Sequence, residues 1–186
     1  SHGSFGFGMV DQGAQRSSSG RGVVDAFAGD ILTANPGEMH DGRPLAGPAR
    51  TWCTVYVEPQ VLAGFIGLPH TGFEIEAPVL HDAGLLAAIR RLVFALRHWQ
   101  ETRTDALACE EALVHACGWL VARHTTVRTQ PEANGHLAAV RERLSDDPAS
   151  APSLSDLAAI AGISRFQLLR RFAAAYRFPP HARLGQ

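Results

Sequence analysis

The sequence predicts an α+β fold, in which a β-rich first part is followed by helices. Three observations lead to this prediction. Residues 1–81 hold short apolar segments separated by glycine and proline turns, the pattern of a small barrel or sandwich. Residues 82–124 carry apolar side chains at helical spacing. Residues 136–186 contain two closely spaced signals for the start of a helix.

The expected strands are short and differ in their two faces. Thr51–Val57 places Trp52, Thr54 and Tyr56 on one face, because successive side chains of a strand alternate. Between this strand and the last one, Gln60–Gly67 fits a short helix. The other four expected strands are Phe5–Val10, Val23–Phe27, Ile31–Ala34 and Phe73–Val79.

Two helices are expected over residues 82–124, on either side of the polar break Thr102–Asp105. The first has one apolar seam and the second has two apolar stripes, so the pair needs two packing partners. One partner is the β-rich part. The other is either a second subunit or a core within the same chain. The seam is Leu85, Ile89, Leu92, Leu96 and Trp99, and the stripes are Leu113, Cys117 and Leu120, and Leu107, Val114 and Val121.

A polar segment with proline and glycine, residues 125–135, predicts a linker, and His136–Leu144 predicts a helix. The charge is unevenly distributed around a net value of −1. Residues 1–150 hold 12 Arg and 17 acidic residues, whereas residues 151–186 hold 5 Arg and one acidic residue. A basic end on an acidic body indicates a nucleic-acid-binding module, unless the short segment is basic by chance.

A helix–turn–helix is predicted after residue 152. Ser153 with Asp156 is a variant of the capping box, and Gly162 supplies the left-handed residue that ends a helix. Ser164 then caps a second helix immediately, so the two helices must cross steeply. An ordinary solvated helical hairpin is the alternative.

The second of these helices has the features of a DNA-recognition helix. If Leu168 and Phe172 point inward, the helical repeat turns other side chains outward. An arginine can bond guanine edges and an apolar side chain can pack on a thymine methyl group. The candidates are Phe166 and Arg170 at base edges, Leu169 on the flank of that face, and Arg165 at a phosphate.

The segment Ser153-Leu-Ser-Asp-Leu-Ala-x-x-Ala-Gly-Ile-Ser-Arg-x-x-Leu-x-Arg-x-Phe172 resembles the first helix–turn–helix of the AraC-type transcription regulators. Residues Gly29–Gly42 and the Trp52–Tyr56 strand resemble the cupin-type sensor barrel of that family. The resemblance implies a cupin-like effector-binding barrel over 1–81, a dimerising helical hairpin over 82–124, a linker over 125–135 and a DNA-binding domain over 136–186. It implies a bacterial, cytoplasmic, sequence-specific DNA-binding regulator with a small-molecule effector, and no enzyme, cofactor, metal or membrane partner.

The chain also departs from the pattern of that family. The family has two helix–turn–helix units joined by a long helix, and this sequence ends at Gln186, before the second. It starts at Ser1, and we expect the first barrel strand of the family to be missing. We therefore expect this chain by itself to bind operator DNA weakly or not at all.

The barrel interior is the expected effector pocket, suited to a small, partly apolar or aromatic molecule. A plain core role is the alternative for each wall residue. Alternation and position nominate Phe5, Phe7, Met9, His40, Trp52, Thr54 and Tyr56.

Two other functions stay open. The resemblance to cupin enzymes implies a metal held by three His and one Glu, for which Glu38 and His40 are candidates, and a metal-dependent enzyme with a helical appendage is the first rival. One His and one Glu do not complete such a site. The second rival is a sensor or interaction protein without DNA binding. The cysteines Cys53, Cys109 and Cys117 have no paired spacing, which favours the cytoplasm.

Overall fold

A computed structural model describes residues 3–45, 50–68, 71–127, 136–146 and 152–184 of the 186-residue chain. A β-rich first part with one short helix is followed by a helical part, so the predicted α+β class is confirmed. The strands are β1 Phe5–Gln12, β2 Ala14–Ser19, β3 Gly22–Phe27, β4 Ile31–Ala34, β5 His40–Pro44, β6 Thr51–Val57 and β7 Val79–Leu80. The helices are α1 Pro59–Ile66, α2 Ala83–Thr102, α3 Ala106–His124, α4 Leu137–Asp146, α5 Leu154–Ala161, α6 Arg165–Tyr176 and α7 His181–Leu184.

The strands form two antiparallel sheets. The first has the order β6-β1-β4-β7 and the second has the order β3-β2-β5. The sequence left a small barrel or a sandwich open, and in the described part of the chain the strands form two sheets that do not close into a barrel. The predicted strand Phe73–Val79 is wrong for most of its length, because only Val79 pairs with β4, and Ile75 makes an isolated bridge to Thr125.

Strand β1 separates a buried core from the space between the sheets. Phe5 and Phe7 are fully buried in the same apolar cluster as Leu85 and Ile89 of α2. The opposite side of β1 carries glycine, which lets β6 approach closely. A Cβ on Gly8 would lie 2.0 Å from the Cys53 carbonyl oxygen, so no other residue fits there without moving β6.

An aspartate at the start of α2 joins α2 to α3. The Asp82 carboxylate caps α2 by accepting from the Leu85 N–H (2.9 Å), and it also accepts from Trp119 Nε1 (3.0 Å). His124 Nε2 lies 2.7 Å from the same carboxylate. Partial burial by itself would raise the pKa of Asp82, but the hydrogen bonds outweigh burial and hold that pKa far below its usual range.

Helix α3 lies at the centre of the helical part, in contact with α1, α2, α5, α6 and α7. Both of its predicted stripes are largely buried: Val114 and Cys117, one from each, are fully buried. Burial raises the pKa of the Cys117 thiol to about 12. The second stripe thus has partners within the chain, and a second subunit is not needed to cover it.

Helices α4, α5 and α6 pack around their own buried residues, among them Val140, Leu157 and Phe172. The local signals for α5 and α6 form as predicted. Ser153 and Ser164 each make a capping box, and Gly162 has φ 69° between the two helices.

The described start of the predicted linker is structured. Thr125 is buried and pairs with Ile75, while residues 128–135 lie outside the described residues. None of the helices described here is long and apolar enough to cross a membrane. Below, the N-terminal part means β1 to α3 and the C-terminal unit means α4 to α7.

Candidate functional site: a cleft between the sheets and the face of α6

A cleft of about 230 Å³ opens between the two sheets. Its floor comes from β1 and β4, and its walls come from β2, β5 and β6. The lining mixes hydroxyl, amide, aromatic and basic side chains, which are suited to orienting a small polar molecule against an apolar wall. The polar and aromatic lining residues are Gln15, Ser17, Ser19, Thr33, His40, Asp41, Arg50, Trp52, Thr54 and Tyr56.

Arg50 is the positively charged residue of this lining. Its guanidinium lies over the Trp52 ring, 4.6 Å from the centroid, and donates to the Gly42 carbonyl oxygen (2.8 Å) and to Gln15 Oε1 (3.3 Å). Among the described residues, no carboxylate forms an ion pair with it. The remaining N–H groups of its planar fork can therefore bind an acceptor group of a ligand.

The cleft contains four of the predicted effector residues, namely His40, Trp52, Thr54 and Tyr56. Phe7 and Met9 do not line it. They lie in the buried cluster with the helices, because the alternation of β1 turns Gly6, not Phe7, towards the cleft.

Sequence reasoning missed the lining residues Gln15, Ser17, Ser19 and Arg50. Gln15, Ser17 and Ser19 of β2 recur at every second position, and this alternation was the available signal for a strand there. The neighbouring residues are polar, however, so no apolar alternation accompanied that signal.

The residues present do not fit the metal that cupin enzymes hold. Glu38 pairs with Arg21 Nε (2.9 Å) and accepts from the Asn35 N–H (2.9 Å). Burial alone would raise the pKa of Glu38, but these hydrogen bonds outweigh it and lower the pKa. In the described part of the chain, no three His, Cys, Asp or Glu side chains are grouped to hold a metal ion.

The predicted reading face of α6 is only partly exposed. Arg170 is exposed, as predicted. Phe166 is only partly exposed, because its ring packs on α3, where a Cβ on Gly118 would lie 2.1 Å from Phe166 Cδ2. Leu169 is 6% exposed. The helical repeat located the outer side of α6 correctly, but α3 covers one edge of that side.

Arg165 of α6 and two glutamates of α3, Glu110 and Glu111, add polar interactions to the contact between the C-terminal unit and α3. The Arg165 guanidinium lies 4.6 Å from the centroid of the Phe65 ring, and its Nη1 is 3.9 Å from Glu110 Oε1. Glu110 Oε2 also accepts from the Leu154 N–H at the start of α5 (3.0 Å). Glu110 therefore contacts the first turn of both α5 and α6, through the Leu154 N–H and the Arg165 guanidinium.

Glu111, the next residue, contacts α7. Its carboxylate, with a side chain 6% exposed, accepts from the His181 N–H (2.8 Å), and its other oxygen lies 2.5 Å from His181 Nδ1. This hydrogen bond raises the pKa of His181 above its usual value, although partial burial opposes the shift.

Two antiparallel sheets around a polar and aromatic cleft, backed by an α-helical pair, are the architecture of a ligand-binding sensor domain. A family model described as the AraC-like ligand binding domain matches residues 1–116, and the chain belongs to this family. The resemblance inferred from the sequence is thereby confirmed for the N-terminal part, and the family model does not extend to the helix–turn–helix segment after residue 152.

Among solved structures, the chain is similar to the crystal structure of the AraC-like transcriptional activator CuxR. The identity is 13% and the TM-score is 0.43, over 97% of this chain and 64% of that chain. This chain thus spans less than two thirds of the length of that structure. No curated protein sequence matches this chain.

Proposed function

We propose that the chain is a transcription regulator that binds a small-molecule effector in the cleft and contacts duplex DNA with α6. The observation that carries the proposal is the cleft around Arg50, found in a member of the AraC-like ligand binding domain family. The effector is a small molecule with an acceptor group for Arg50 and a flat or apolar part for Trp52 and Tyr56. A bacterial cytoplasm is the expected location.

Effector binding is tested by calorimetric titration with benzoate, a probe that combines a planar ring with a carboxylate. We expect binding that weakens at least tenfold in Arg50→Gln, because the charged bidentate donor to the carboxylate is lost. The matched control is Arg43→Gln, whose side chain is 83% exposed on the neighbouring strand. Equal benzoate affinity of Arg50→Gln and the wild type would show that Arg50 does not bind the ligand.

DNA recognition is tested on an operator selected from a random duplex library, with the product of the complete gene. Arg170 is exposed on α6, so Arg170→Ala should cost about 1–3 kcal/mol and relax specificity at one base pair. Arg165 is assigned to a phosphate, Phe166 to a base edge and Leu169 to the flank of the reading face. Equal binding of the wild type to selected and scrambled duplexes would contradict sequence-specific recognition.

We further propose a homodimer through residues 82–124. The supporting observation is Phe94 of α2, which is 74% exposed although it lies in the middle of a long helix. A second subunit packed on this side of α2 would remove the Phe94 ring from water.

The rival functions are distinguishable from this one. Glu38 is already paired with Arg21, which speaks against a metal-dependent enzyme. Stoichiometric metal in the purified protein would favour the enzyme nevertheless. Dimers without any DNA affinity would favour an interaction protein.

A further inference from the structure

We propose that the N-terminal part inhibits DNA binding directly, because α1 and α3 cover the first half of the reading face of α6. Docking of α6 on these helices and insertion of α6 into the major groove then exclude each other. This inference rests on the proposed DNA-reading role of α6.

The first evidence is the packing around the start of α6. The Phe166 ring fills the space that a side chain at Gly118 would occupy, and Leu169 is buried one turn later. On the α1 side, a Cβ on Gly67 would lie 3.1 Å from Ser164 Cβ, so the cap of α6 also touches the N-terminal part. Two glycines thus permit the close approach of α6.

The second evidence is electrostatic. Arg165 stands at the first turn of α6, where a recognition helix contacts the DNA backbone. In this structure its guanidinium lies between the Phe65 ring and the Glu110 carboxylate. A carboxylate and a ring therefore occupy the surroundings that a phosphate would need.

The third evidence is the extent of the contact. Glu110 accepts from the N-terminus of α5 and Glu111 accepts from the backbone and the ring of His181 in α7. Together with the Arg165–Glu110 pair of α6, these contacts join α5, α6 and α7 to the adjacent residues Glu110 and Glu111 of α3. This arrangement holds the unit in a single orientation towards α3.

Geometry makes docking and DNA binding incompatible. In helix–turn–helix proteins, the first residues of the recognition helix contact the base edges. The major groove is about 12 Å wide and a helix with its side chains is about 10–12 Å across. The groove therefore admits α6 by itself and has no room for α3 packed against Phe166.

The docked state lowers the apparent DNA affinity by the fraction of molecules in which α6 is free. Arg170 and Arg177 remain exposed in that state, so weak backbone contacts persist while base contacts are lost. Any change that releases α6 should therefore raise the affinity without adding a new contact to DNA.

The first test uses Gly118→Leu, whose side chain would overlap the Phe166 ring. The control is Ala122→Leu, at an exposed position of the same helix. Hydrogen exchange of peptides from α6 reports release, and fluorescence anisotropy on the selected operator duplex reports DNA binding at low salt. We expect faster exchange in α6 and an affinity at least tenfold higher for Gly118→Leu, with the control like the wild type.

The second test reverses the charge next to Arg165. Glu110→Arg should release α6 by repulsion, and Glu101→Arg, exposed on α2, controls for the added positive charge. We expect Glu110→Arg to exceed Glu101→Arg at least fivefold in DNA affinity. Equal affinities of the two variants would overturn the inference.

The remaining outcomes separate this inference from the proposed function. If Gly118→Leu releases α6 and binds DNA only as tightly as the wild type, inhibition by docking is wrong and DNA binding stands. If neither protein binds DNA although α6 is released, both the inference and the DNA-reading role fail. Unchanged exchange of α6 in both Gly118→Leu and Glu110→Arg would show that the docked contact does not exist.

Discussion

Replacing Gly162 by alanine tests the turn that orients α6. Gly162 has φ 69° and ψ 26°, and its N–H lies at the end of α5, within bonding distance of the Ala158 and Ala159 carbonyl oxygens. No atom lies within 4 Å of the position that a Cβ would take. The cost of Gly162→Ala is therefore the left-handed backbone alone, about 1–2 kcal/mol. For a chain of this size, this corresponds to a fall in Tm of about 2–8 °C.

The free energy of unfolding is measured by urea denaturation, followed by circular dichroism. The matched control is Gly72→Ala, since Gly72 also has open space around it but no positive φ. We expect the control to change the free energy by less than about 0.5 kcal/mol. Equal losses in both variants would show that the turn does not need a left-handed residue.

Three further predictions concern a titrating group, an interface and a cap. The pKa of His181 is raised chiefly by its hydrogen bond to Glu111, so the stabilisation from this pair is present below the unfolded pKa of about 6.5 and is lost as the pH rises through the folded pKa. His181→Gln should therefore lower Tm at pH 6 and not at pH 9. An equal loss of Tm at both pH values would contradict the assignment. Phe94→Glu should convert the proposed dimer to a monomer in sedimentation experiments, and an unchanged sedimentation coefficient would move the interface elsewhere. Ser164→Ala removes the acceptor of the Gln167 N–H and should lower the free energy of unfolding, measured by urea denaturation, by about 0.5–2 kcal/mol. An unchanged free energy of unfolding would show that the cap does not stabilise α6.

The turn between α5 and α6 was predictable because its determinants are local. Ser153 and Ser164 accept from backbone N–H groups three residues ahead, and Gly162 takes a conformation that other residues avoid. None of these contacts depends on a distant part of the chain. The helices and the turn therefore follow from neighbouring residues.

The environment of Phe166 was not predictable in the same way. The helical repeat shows which side of α6 is opposite Leu168, but not which other helix approaches it. The approach is permitted by Gly118, 48 positions earlier in the sequence, whose role is visible only once α3 and α6 lie together. A glycine inside a helix was the available signal, and it does not name its partner.

The cleft was partly predictable for a similar reason. Alternation correctly placed Trp52, Thr54 and Tyr56 on one face of β6. It could not show which face of β1 meets the helices, so Phe7 was assigned to the wrong side. Strand β2 was missed because its residues are mostly polar, and pairing on both of its edges holds it in place instead of an apolar face.

The two glutamates of α3 have a consequence for protein engineering. A chimaera that fuses a foreign sensor to this C-terminal unit at residues 128–135 would discard Glu110, Glu111 and Gly118 together with α3. Under the proposed inhibition by docking, the transplanted unit would lose the surface that covers α6, and its DNA binding would no longer depend on the new sensor. Because α3 is also bonded to the start of α2 through Asp82, an exchange of modules that keeps this control has to reproduce Glu110, Glu111 and Gly118 in the facing helix of the new sensor.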